Sequence, residues 1–107
     1  MGSAAMVPAT DSTIADCLQA IPEVEGVYVF HIGGGEALRV MTVVNEEEDG
    51  VYERIYRKEL EVSKSFPSIQ FDFNVVARRG RSMDLIMGKN LPVWIRPASE
   101  CPQLNSI

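Results

Sequence analysis

The chain has 107 residues, the size of one ordinary domain, of which 46% are hydrophobic and 23% charged. That balance excludes wholesale disorder, which needs lower hydrophobicity and more net charge, and the length leaves no room for a second core. A net charge of −5 works against a phosphate backbone, so nucleic acid is disfavoured as a partner, and no apolar run approaches the length of a membrane span.

The cysteines, Cys17 and Cys101, form no C-x-x-C pair, and with one histidine there is no zinc set. Reduced thiols and a cytoplasmic location are expected, with no metal and no cofactor. Residues 1–10 read as a disordered or cloning-derived N-terminus and 98–107 as a flexible tail, leaving 11–97 as a single domain.

The first element is a short helix. Asp11, Ser12 or Thr13 offers a capping oxygen, and Ile14, Cys17, Leu18 and Ile21 repeat on one helical face until Pro22 stops it. Val24 to Ile32 follows as a strand with apolar residues on both faces, the mark of a central, doubly covered strand. Gly33-Gly34-Gly35-Glu36 turns the chain, and Ala37 to Val44 returns antiparallel. The glycine run lacks the Gly-Lys-Ser/Thr ending of a phosphate-binding loop and enters a strand rather than a helix.

The acidic stretch at 45–50 precedes a helix from about Val51 to Lys64, where negative charge suits the helix N-terminus. Its apolar stripe runs through Val51, Ile55 and Val62, with Tyr52, Tyr56 and Leu60 alongside. Ile69 to Arg78 alternates strictly. Phe71, Phe73, Val75 and Ala77 face the core, and Asp72 and Asn74 face outward. Ser82 to Met87 suits a helical turn with Met83, Ile86 and Met87 inward. Leu91 to Arg96 suits an edge strand that tolerates Pro92.

The expected fold is therefore α+β in the order α-β-β-α-β. It has a three- to four-stranded, mainly antiparallel sheet with the helices on one face and the other face at least partly open.

This order, with Tyr28-Val29-Phe30 leading into glycines and Phe71-Asp72-Phe73 after the second helix, resembles the minimal nucleotidyltransferase domain over about Ile14 to Val76. The resemblance implies a Gly-Ser motif, two metal-binding carboxylates as Asp-x-Asp on the second strand, and a third on the next. Here Gly33 is followed by Gly34, and Leu38 to Val44 holds no acidic residue; only Asp72 stands at a position like the third carboxylate. Two divalent ions need most of the charge that is missing, so the resemblance implies an inactive relative.

Several residues carry candidate roles beside plainer ones. His31, which titrates near neutrality when unperturbed, reads either as a general base or as a hydrogen-bonded residue at a hairpin shoulder. Arg39, Asp72 and Asn74 are candidates to converge with His31 on the open sheet face as a small-ligand site, or they form a solvated surface. Arg78, Arg79 and Arg81 can grip an anion or an acidic partner, or offset the acidic stretch. Trp94 and Val93 can cover the domain's own core or form a homodimer contact. The preferred reading is a non-catalytic, self-associating binding or protein-interaction module, against the alternative of a small-ligand binder or enzyme built on the four polar residues.

Overall fold

Helix α1 (Ala9–Gln19) is the first element of the computed structural model, which describes residues 9–97. It buries Ile14, Ala15 and Leu18, but starts earlier than its capping residues suggested. Asp11 therefore lies inside the first turns, buried, with its carboxylate turned toward the sheet rather than capping the helix.

Strands β1 (Val24–Ile32) and β2 (Ala37–Val44) have the bounds that the sequence pattern indicates, and they pair antiparallel. A 3-10 turn over Gly33–Gly35 joins them. Gly33 and Gly34 hold φ of 60° and 79° there, a region in which a side chain would be strained. After α2 (Asp49–Ser65) come β3 (Gln70–Ala77), the short α3 (Met83–Met87) and β4 (Trp94–Ile95). The four strands lie in the order β3-β2-β1-β4, with β1 and β2 central.

The α+β class and the element order are as expected, but the sheet is mixed rather than mainly antiparallel. β3 runs parallel to β2 in unbroken register from Ala37 opposite Gln70 to Val44 opposite Ala77. Length explains this. The 17 residues of α2 span about 25 Å at 1.5 Å per residue, and the eight of β2 span about 26 Å, so α2 returns the chain to the end where β2 began.

α1 and α2 lie over one face. Ile14, Leu18, Val27, Leu38, Val40, Val44, Val51, Ile55 and Val62 form the main core, with Phe71, Phe73, Val75 and Ala77 partly buried against it. Phe71 and Phe73 stack with ring centroids 5.1 Å apart. The strict alternation of β3 thus has the expected outcome.

Helices occupy both faces, however. α3 packs Met83, Ile86 and Met87 on Tyr28, Phe30, Met41 and Val43 on the opposite side of the sheet. The apolar second face of β1 requires that cover, and Gly26 makes room for it: a Cβ there would approach Met83 Cε to 3.0 Å. Ser82 caps α3 by accepting a hydrogen bond from the Leu85 N–H. α3 covers Tyr28 and Val43 fully and Phe30 and Met41 in part, and among the described residues it leaves the region around Arg39 and Asp72 open.

Trp94 and Val93 pack against the main core, and β4 pairs with β1 over Gly26 and Val27 only. Arg96 lies 4.8 Å over the Trp94 ring and donates to the carbonyls of Gln19, Ile21 and Val24. The expected N-terminal segment and C-terminal tail, with Cys101, fall largely outside the described residues.

Candidate functional site

β2 and β3 bring three of the four polar candidates together on the open face. Arg39 stands opposite Asp72 across the parallel pair and opposite Phe30 across the antiparallel one. Its Nε donates to Asp72 Oδ2 at 2.9 Å, and Asn74 Nδ2 donates to Asp72 Oδ1 at 3.3 Å. The ion-paired side chains remain about half exposed, 52% for Arg39 and 54% for Asp72. Half-buried Phe30 and Met41 and exposed Ile32 share this face. The result is a pre-paired polar patch beside an apolar one on an open surface.

His31 does not join them. Strand alternation puts it with Val27 and Val29 on the helix-covered face, where its Nε2 lies 3.0 Å from both carboxylate oxygens of Asp11. A carboxylate offers only acceptors, so the ring N–H donates. Asp11 is 4% exposed and His31 closes over it from the solvent side. The expected four-residue cluster is thus split by the sheet, and the plainer, hydrogen-bonded reading of His31 describes its position.

Each arginine of the basic cluster is engaged within the protein. Arg78 is paired with Glu25 and donates to the Arg81 carbonyl. Arg79 is paired with Glu47 and has φ of 52°, holding the turn with Gly80. Arg81 donates to the carbonyls of Ala77 and Arg78. The turn is also pinned to the β2–α2 loop by the Gly80 N–H on Asn45 Oδ1 and the Arg79 N–H on the Asn45 carbonyl. Of the three, Arg79 alone pairs with the acidic stretch, through Glu47.

Between the start of β1 and the carboxyl end of β2 lies a crevice of 470 Å³ lined by Pro22, Glu23, Glu25, Val44, Asn45, Glu46, Glu48 and Val51. A neighbouring one of 520 Å³ is bordered by Asn45, Glu46, Glu47, Arg79 and Gly80. The second lies outside the carboxyl ends of the parallel strands β2 and β3, a common ligand position, whereas the first is set beside antiparallel β1. Here Glu23 is held by a two-pronged Arg54 contact at 3.0 Å, which keeps its carboxyl below the usual range. Neither crevice is lined by His31, Arg39, Asp72 or Asn74.

Two groups with chemical potential went unflagged in the sequence pattern. Glu59 is 8% exposed on the inner side of α2, its Oε2 has no hydrogen-bond partner, and burial pushes its carboxyl up to about 7. Its spacing from Val51 and Ile55, four residues at a time, was the available signal. Asp11 gave none beyond its capping chemistry. Cys17 lies between α1 and α2, with Sγ 3.8 Å from the Lys58 carbonyl and from Glu61 Oε1. Burial raises its thiol pKa, which favours the inert protonated form.

Among the described residues no three His, Cys, Asp or Glu side chains gather as a metal site, and no helix is long and apolar enough to cross a membrane. No protein-family model matches the chain, and no curated protein matches it.

Proposed function

We propose that this chain is a non-catalytic, self-associating interaction module that binds a protein partner through the open part of its sheet face. The carrying observation is the Arg39–Asp72 ion pair, joined by Asn74 and set beside Phe30, Met41 and Ile32. An apolar surface bordered by polar groups already held in place is the make-up of a protein-binding patch, and the groups lose little freedom on binding.

Reactive groups elsewhere are committed to structure. His31 is hydrogen-bonded to buried Asp11, and Cys17 is held as a thiol between two helices. The acid-lined crevice repels phosphates, and the arginines that could attract them already bond to Glu25, Glu47 and main-chain carbonyls. Nucleic acid and nucleotides are poor partners for such a surface. The nucleotidyltransferase resemblance retains Asp72 alone, and Arg39 brings positive charge to the strand where that family places its carboxylate pair. On this reading any kinship lies in the fold, without the metal chemistry. The thiol of Cys17 suits a cytoplasmic setting.

A thermal-shift panel of nucleotides with magnesium, together with small polar metabolites, tests the reading. The expected result is an unchanged melting temperature throughout. A nucleotide that raises the melting temperature of the wild type but not of Asp72→Ala or Arg39→Ala overturns it in favour of a small-ligand site.

A further inference from the structure

The two edges of the sheet are finished differently. On the β1 side, β4 is two residues long and is flanked by Pro92, Arg96 and Pro97, devices that blunt an edge. On the other side, β3 is eight residues long, contains no proline, lysine or break in register, and has no strand beyond it among the described residues. The Gln70 N–H bonds to the Glu36 carbonyl and the Arg78 N–H to the Val44 carbonyl, so the even-numbered residues of β3 face β2. In a parallel pair the N–H and C=O of one residue point the same way, so those of Phe71, Phe73 and Val75 point outward from the sheet.

The helix above this edge is equally bare. Lys58 and Glu61 of α2 border Cys17 of α1, so the opposite flank of α2, with Tyr56, Leu60 and Ser63, overhangs β3. Tyr56 is 55% and Leu60 57% exposed, and the flank carries no charge at Tyr52, Tyr56, Leu60 or Ser63. Asp49 and Glu53 border only its first turns, so the Tyr56–Leu60–Ser63 part of the flank over the unpaired strand is a surface from which water is readily expelled.

We infer that β3 pairs antiparallel with β3 of a second copy about a two-fold axis at Phe73, joining two sheets into one and bringing the two α2 flanks together. The strand is complementary to itself in that register. Phe73 lies opposite its own copy, and Phe71 lies opposite Val75 of the copy, so every outward N–H and C=O of these residues meets a partner. On the open face each Asp72 lies opposite an Asn74, a carboxylate facing an amide donor. A two-fold axis one residue earlier would place Asp72 against Asp72, with like charges directly opposed. Such an axis repeats one contact on both copies, as a closed dimer requires. The inference rests on the self-association in the proposed function and gives it a location.

Light scattering after size exclusion, combined with amide hydrogen exchange over a dilution series, tests it. The expected mass is twice 11.8 kDa at high concentration. The amides of Phe71, Phe73 and Val75 should exchange slowly in the dimer and rapidly on dilution. Leu60→Lys and Tyr56→Lys replace exposed residues, so the fold is retained while Kd should rise about tenfold or more from like charges meeting across the axis. A monomer at every concentration overturns both this inference and the self-association it builds on. A dimer in which those three amides still exchange rapidly overturns the β3 assignment alone. The small-molecule panel bears on neither result, so failure of the non-catalytic reading is seen separately.

Discussion

Glu59→Gln should raise the thermal stability of this protein at pH 8 and flatten its dependence on pH. The wild-type carboxyl sits near 7 in the folded chain against an ordinary value of 4.5, and burial is the cause. Below 4.5 it is protonated whether the chain is folded or not, and it carries no penalty. Between 4.5 and 7 the unfolded chain releases the proton while the folded chain keeps it, so stability falls as pH rises. Above 7 the folded protein holds an ionised group among Ile55, Val62 and their neighbours, and the loss levels off. The full change is at most about 3 kcal/mol, which for a domain of this size is on the order of 10 °C or more in melting temperature. Glutamine removes the ionisation, and Glu59→Leu adds apolar packing besides. Denaturation followed from pH 4 to pH 9 checks this. A wild-type stability that rises across that window, or a Gln variant with the same profile as wild type, contradicts the assignment.

His31→Ala should cost about 1–3 kcal/mol, the penalty of leaving a buried polar group without its partner. Asp11 has 4% of its surface exposed, and the His31 ring is the group seen bonding to its carboxylate. Replacing both residues with apolar ones, as in Asp11→Leu with His31→Ala, should recover most of the loss, because no orphaned carboxylate remains. Asp72→Ala should change stability by less than about 1 kcal/mol, since both partners of its ion pair are half in solvent. Urea denaturation of the two single variants and the double variant decides the matter. If His31→Ala costs as little as Asp72→Ala, or the double variant recovers nothing, His31 has no such structural role.

These contrasts mark what the residue pattern could and could not convey. The period of two placed Phe71, Phe73, Val75 and Ala77 on the core side and Asp72 and Asn74 on the other, because burial of one sheet face leaves a signal in every second residue. The hairpin strands were equally clear, since glycine and apolar alternation delimit them at both ends. The parallel run of β3 leaves no local signal, because it follows from the length of a helix compared with a strand rather than from any local motif. The pattern of Ser82 to Met87 marks α3 as a helical turn, but which face it covers is tertiary, and the close approach of Met83 to Gly26 there is silent in any periodicity count.

The candidate site was legible to the same degree. Arg39, Asp72 and Asn74 share a face because β2 and β3 align in register, and their polar alternation announced that face. Of the two readings of His31, its own strand favours the one off the open face: it stands two residues beyond Val29, which belongs to the core side. Its role depends on Asp11, twenty residues away on another element, and such tertiary pairing leaves no trace in local spacing.

Arg96 has a consequence for synthesis on the ribosome. Its guanidinium donates to carbonyls at the end of α1, in the turn that follows and at the start of β1, yet it is translated seventy-seven residues after Gln19. A nascent chain that has not yet delivered Arg96 from the exit tunnel leaves those acceptors to water, and the first helix remains frayed at its C-terminal turn until then. Arrested chains ending before and after Arg96 should differ in protease sensitivity around residues 19–23; equal sensitivity would mean that the first helix matures without it.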